Sequence, residues 1–140
     1  MKKTTDELLN TLKSKKNIKD YFSENSGEMV FESLTDMVNY FMKNKNLKKS
    51  EVIDRANIER HYGYQILDGS KKPSRDKLIM LCFGLELTLE ETQNMLKKCG
   101  WGELYPRDAR DSVIIFGIFN NKSVVETNIL LDDQGQKALE

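Results

Sequence analysis

The sequence predicts an all-α fold: a five-helix bundle with a short helical extension at each end. Three observations lead there. Apolar residues recur at steps of three and four through most of the chain, the spacing of one helix face. The pattern Ser/Thr-x-x-Glu, the form of a capping box, occurs at Thr4 and Glu7, at Thr88 and Glu91, and at Ser123 and Glu126. Period-two alternation, the mark of a half-buried strand, is scarce.

Composition bounds the class. A chain of 140 residues suffices for one ordinary domain, or a small domain with extensions, and 39% hydrophobic residues can build a core. Lys and Arg number 22, as do Asp and Glu, so the net charge is zero. A balanced chain is not a generic polycation, although it can carry a local basic face. No apolar run reaches the ~18 residues of a membrane span. Met1-Lys2-Lys3-Thr4 leads into a polar stretch without a secretory apolar segment. A cytoplasmic protein is expected, with Cys82 and Cys99 as reduced core thiols. No internal repeat is evident.

Thr4 opens a short helix with Leu8, Leu9 and Leu12, and Tyr21 and Phe22 follow in a polar stretch. Ser26-Gly27 punctuates the chain before Met29, Val30 and Phe31. Residues 1–30 read as a helical extension that packs on the domain. Leu34, Met37, Val38, Phe41 and Met42 form one stripe, closed by Asn44-Lys45-Asn46. A second helix covers Lys49 to Ala56, Asn57-Ile58 turns the chain, and a third runs from Glu59 to Leu67. Asp68-Gly69 stops it, with Gly as left-handed cap. After Pro73-Ser74, Leu78 to Phe83 make a buried helix ending at Gly84. Leu89, Thr92, Met95, Leu96 and Cys99 give the fifth its stripe, closed by Gly100. Residues 31–100 form this central domain.

Residues 101–140 read as a C-terminal helical extension. Trp101 and Tyr105 should cement it to the bundle. Pro106 suits a first helical turn, and Asp108 and Asp111 suit the positive helix end. Val113 to Phe119 is apolar all round and reads as a buried helix rather than a strand. Asn120-Asn121 turns the chain into a last helix after Ser123, and Gln134 to Glu140 read as a frayed tail. Segment 113–131 either caps the bundle in cis or forms a homodimer interface.

The second and third central helices, joined by a tight turn, form a helix-turn-helix. The run Leu47-Lys48-Lys49-Ser50-Glu51-Val52-Ile53-Asp54-Arg55-Ala56-Asn57-Ile58-Glu59-Arg60-His61-Tyr62-Gly63-Tyr64-Gln65-Ile66-Leu67-Asp68-Gly69 resembles, without a gap, the XRE family of phage-repressor and Cro-like regulators. Lys71-Lys72-Pro73-Ser74 resembles that family's step into its fourth helix, and Leu85 to Glu91 its entry into the fifth. The resemblance spans residues 33–99. It implies a repressor-like helix-turn-helix bundle and a transcriptional regulator that binds double-stranded DNA, commonly as a dimer.

If Gly63, Ile66 and Leu67 face the core, then Arg60, His61, Tyr64 and Gln65 face outward. Arg suits guanine and Gln adenine in the major groove, so these four are the candidate base contacts. Lys49, Ser70, Lys71 and Lys72 flank them as candidate phosphate contacts. Residues 43–77 hold ten basic and five acidic side chains, an excess of +5. Asn57 stands where the family usually has Gly, and Asn tolerates positive φ. Gly63 stands at a usually β-branched site, at a helix cost of about 1 kcal/mol against Ala. Tyr62 or Tyr64 should fold over the resulting gap. Glu59 and Asp68 place acids at both ends of the recognition helix, and Glu59 suits its N-terminus.

His61 is the single histidine, and no Cys/His cluster, Gly-rich phosphate loop or nucleophile elbow occurs. Neither an enzyme nor a bound cofactor or metal is expected. A protein-interaction adaptor that has lost DNA binding is the alternative.

Overall fold

Local capping signals set where the helices begin and end. The computed structural model describes residues 3–15, 17–24 and 33–140. The expected break at Ser26-Gly27 and the apolar Met29, Val30 and Phe31 lie outside them. Among the described residues the chain is helical, without a strand: α1 (Thr5–Ser14), α2 (Ile18–Glu24), α3 (Leu34–Lys45), α4 (Lys49–Arg55), α5 (Arg60–Leu67), α6 (Arg75–Gly84), α7 (Leu89–Lys98), α8 (Ala109–Phe119) and α9 (Val124–Asp133). None is long and apolar enough to cross a membrane. Two compact units divide the chain, Met1–Glu32 and Ser33–Glu140.

In the first unit, the Thr4 hydroxyl accepts from Glu7 N (3.1 Å) and the Glu7 carboxylate accepts from Thr4 N (3.3 Å), which starts α1. Leu9, Leu12 and Ile18 are exposed.

In the second unit, four of the turns between helices share one design. A residue in the left-handed region is followed by one linker residue and then the N-cap of the next helix. The left-handed residues are Asn46, Asn57, Glu86 and Asn121, with φ of 54°, 57°, 55° and 53°. The linker N–H returns to a carbonyl of the previous helix: Leu47 to Met42, Ile58 to Ile53, Leu87 to Cys82, Lys122 to Gly117. This satisfies carbonyls that a helix end leaves orphaned. The residue ending α6 this way is Glu86. Gly84, two residues earlier, is the last residue of α6 and is buried.

Helix α6 lies at the centre, packed on α4 and α7, with Leu78 to Cys82 all buried. Five consecutive buried residues require cover on every side. Cys82 is buried and Cys99 half-buried, and both are free thiols. Burial pushes the Cys82 thiol up, beyond reach of ordinary pH.

The last third of the chain corrects four expectations. First, Trp101 and Tyr105 do not cement it, being 40% and 56% exposed. Second, Pro106 precedes α8, whose N-cap is Asp108, accepting from Asp111 N at 2.9 Å. Third, α8 is not buried all round: Phe116 and Phe119 face solvent. Fourth, the tail is docked, with Leu139 only 3% exposed and its N–H and carbonyl both held by Asn128 (2.7 and 3.2 Å).

A repeat that escapes composition appears in these bonds. Residues from Arg75 recur thirty-five positions on: Arg75 and Arg110, Asp76 and Asp111, Thr88 and Ser123, Glu91 and Glu126, Thr92 and Thr127, Gln93 and Asn128, Gly100 and Gly135, Leu104 and Leu139. Their roles recur too. The Gln93 amide holds both backbone groups of Leu104 (2.8 and 2.7 Å), as Asn128 holds Leu139. Arg75 donates to the Gly102 and Glu103 carbonyls, and Arg110 to those of Lys137 and Ala138.

The two copies are clasped reciprocally. Arg75 of the first donates to both Asp111 oxygens (3.1 and 2.9 Å), and Arg110 of the second to both Asp76 oxygens (3.0 and 2.8 Å). Tyr105 N donates to Asp111 at 3.0 Å and its counterpart Glu140 N to Asp76 at 3.4 Å. When i meets j and j meets i, the relation is a closed pseudo-two-fold rather than an open stack.

Candidate nucleic-acid interface

The short α5 stands on α4 through a glycine. A Cβ at Gly63 would lie 2.7 Å from Ile53 Cγ2 and 2.9 Å from Cγ1. There is thus no gap for a tyrosine to cover. The glycine lets the two helices touch, and the tyrosines do other work. Gly63→Ala is expected to destabilise by about 1–2 kcal/mol through overpacking, against the usual helical preference. In an Ile53→Ala background the same change should be tolerated better. Denaturant unfolding of the four chains measures that coupling, and simple additivity would argue against the contact.

With Gly63, Ile66 and Leu67 buried, the opposite side of α5 faces out. Arg60 and His61 are exposed, and Tyr64 and Gln65 are half-buried. The Arg60 guanidinium lies 5.8 Å from the Tyr64 ring centroid, a cation–π distance, so the two act as one platform. Lys77 Nζ stands 6.0 Å from the Tyr62 ring. A groove of about 440 Å³ separates α4 from the start of α5, lined by Ser50, Glu51, Ile53, Asp54, Ile58 and Arg60. Arg60 therefore works beside two carboxylates.

Glu59 is the N-cap of α5. Its carboxylate accepts from His61 N (2.9 Å) and Tyr62 N (2.8 Å), and the Tyr62 and His61 amides hold it below the usual carboxylate range. This acid serves the helix start.

Lys49, Ser70, Lys71 and Lys72 are all exposed. Lys71 N donates to the Gln65 carbonyl (3.1 Å), fixing the loop after α5. Ser70 is different: its N–H (2.8 Å) and its hydroxyl both donate to Asp68. Those two bonds, with the charge of Lys49, hold the Asp68 carboxyl low. The second terminal acid thus organises the loop, and it directs Ser70's donors onto itself.

Tertiary ion pairs thin the positive field. Lys45 bonds to Glu91 (3.3 Å), Arg55 to Glu86, and Arg75 to Asp111, while Asp76 takes Arg110. Three carboxylates and one guanidinium from outside residues 43–77 take the local excess from +5 to +3. Lys48, Lys49, Arg60, Lys71 and Lys72 remain exposed. Sequence spacing does not reveal the clasp residues Arg75, Asp76, Arg110 and Asp111, because their pairing is set by the fold. Among the described residues, no group of three or more His, Cys, Asp or Glu is placed to hold a metal ion.

Compared with family models, curated proteins and solved structures, the chain finds no match.

Proposed function

We propose that the protein is a sequence-specific DNA-binding regulator of the XRE type that reads the major groove with residues 59–68. The observation that carries this reading is the outward face of α5. Arg60, stacked on Tyr64, and His61 project from a helix whose other side is buried on α4, with Lys49 near Asp68 at its end and exposed Lys71 and Lys72 in the loop that follows. Eight residues make a helix about 12 Å long, and the major groove is about 12 Å wide. Arg60 and Gln65 contact bases, His61 and Tyr64 assist, and the three lysines hold phosphates. The protein acts as a homodimer through segment 113–131, each copy taking one half-site.

Binding to random genomic fragments is measured between about 50 and 200 mM salt. Affinity should fall linearly in log–log form. Lys72→Ala should weaken all sequences alike and reduce the slope by about one, whereas Arg60→Ala should remove about 1–3 kcal/mol of discrimination at one position. No binding at about 50 mM salt sinks this reading. The protein-interaction adaptor then takes its place, favoured by Asp68, Glu51 and Asp54 beside the cations.

A further inference from the structure

Ala109, Ser112, Phe116 and Phe119 follow one another along α8 at steps of three, four and three. That is heptad a/d spacing, which holds a seam on one side of a helix. The seam is open to solvent: Phe116 is 53% and Phe119 67% exposed, Ala109 is exposed and Ser112 half-buried. Its first half is small and its second half bulky.

The repeat shows what such a face does in the other copy. The counterparts of Phe116 and Phe119 are Leu81 and Gly84, both buried. Gly84 lies directly under α4, against the Val52 carbonyl and Ala56. The first copy's face is buried at Leu81 and Gly84, with α4 of the same chain over Gly84, while its Ser74 is exposed and its Lys77 half-buried. The second copy's is bare, and carries a phenylalanine where the first carries glycine.

We propose that α8 of a second copy of this chain covers the seam, antiparallel across a two-fold axis. This specifies the dimer invoked in the DNA-binding reading. Antiparallel pairing seats Phe116 and Phe119 over the partner's Ser112 and the partner's Ala109, large against small at both ends. Parallel pairing would set ring against ring and leave Ala opposite Ala, a void that close packing disfavours. Charge agrees. Asp108 precedes α8 and Lys122 follows it, so antiparallel helices bring unlike charges together at both ends. Four phenylalanine rings at these exposures cover on the order of 480 Å², roughly two-fifths of the ~1,200 Å² at which specific interfaces begin.

Sedimentation equilibrium of the full chain without DNA, from about 1 μM to 1 mM, tests this. A dimer with a micromolar Kd is expected. Phe116→Ser and Phe119→Ser should each raise Kd at least about 30-fold, which is ~2 kcal/mol, with helicity by circular dichroism unchanged. Orientation is read by oxidative cross-linking in a Cys99→Ser background. At about 1 mM chain, where a micromolar Kd raised about 30-fold still leaves both variants dimeric, mixed Ser112→Cys and Phe116→Cys chains should couple to each other faster than Ser112→Cys chains couple among themselves. A native chain monomeric at 1 mM, a dimer indifferent to both Ser variants, or faster coupling among Ser112→Cys chains overturns the proposal. A dimer that binds no DNA sinks the regulator reading and leaves this one standing.

Discussion

Gly84→Ala is expected to destabilise the protein by about 3 kcal/mol, at the upper end of overpacking losses. At an exposed helical position the same change gains up to about 1 kcal/mol. Here the new Cβ would lie 2.3 Å from the Val52 carbonyl oxygen, 3.0 Å from Ala56 Cβ and 3.1 Å from Ala56 N. The obstacle is backbone, which has no rotamer to escape into. That carbonyl also accepts from Ala56 N (2.9 Å), so moving it breaks the last turn of α4. Relief therefore requires α4 to lift off α6, and the Asn57 turn and α5 follow it. Urea unfolding measures the loss, and a midpoint equal to or above the parent's would refute the close approach. Gly63→Ala meets only a side chain, Ile53, and should cost less.

Helix ends were legible because their causes are local. A capping box spans four residues, and a left-handed Asn needs no distant partner, so Thr4, Thr88, Ser123, Asn57 and Gly69 read correctly. Gly63, inside α5, misleads because a glycine that weakens a helix and one that admits a neighbour look the same in sequence. Only the chain segment crossing it decides. Helix α6 ends at Gly84, as the sequence suggests, and Glu86 takes the left-handed position two residues on.

Ion pairing is hidden for the same reason. Arg75-Asp76 and Arg110-Asp111 each stand at a helix start with no partner nearby in the sequence. Each finds its partner in the other, thirty-five residues away. The repeat is hard to see because kept residues, polar ones and the buried pairs Ile79/Ile114 and Leu96/Leu131, are scattered among exchanged ones such as Met80 for Ile115 and buried Leu81 for exposed Phe116. Hydrophobic volume tolerates such exchange; bidentate hydrogen-bond geometry does not. In the candidate site, the outward set on α5 followed from helical periodicity. The commitment of Ser70 to Asp68 and the loss of field to outside carboxylates did not, because both depend on where loops and distant helices come to rest.

Asp111→Ala is expected to destabilise by about 3–5 kcal/mol, as when one partner of a buried pair is removed. The Asp111 carboxylate is 9% exposed and accepts from Arg75 twice and from Tyr105 N. Its removal strands a guanidinium that also holds the loop through Gly102 and Glu103. Replacing Arg75 and Asp111 together, by Met and Leu, should recover much of the loss, since the uncompensated charge goes too. The pseudo-two-fold makes Asp76→Ala the same experiment at the other end, with a smaller effect because that pair is more exposed.

The Asp76 end adds a pH readout. Burial pushes the Asp76 carboxyl up, but the Arg110 hydrogen bonds and charge, the Glu140 N–H and Lys137 outweigh it and leave it below its ordinary 3.8. A carboxylate depressed in the folded state adds stability that is fully present above its unfolded value and lost as pH falls through the folded one. The stability difference between the parent and Asp76→Asn should therefore be flat above about pH 5 and shrink steadily below about pH 4. A difference that stays constant to about pH 2 would mean that Asp76 contributes by shape alone. The repeat would then be held by its Gln93 and Asn128 amide locks rather than by the ionic clasp.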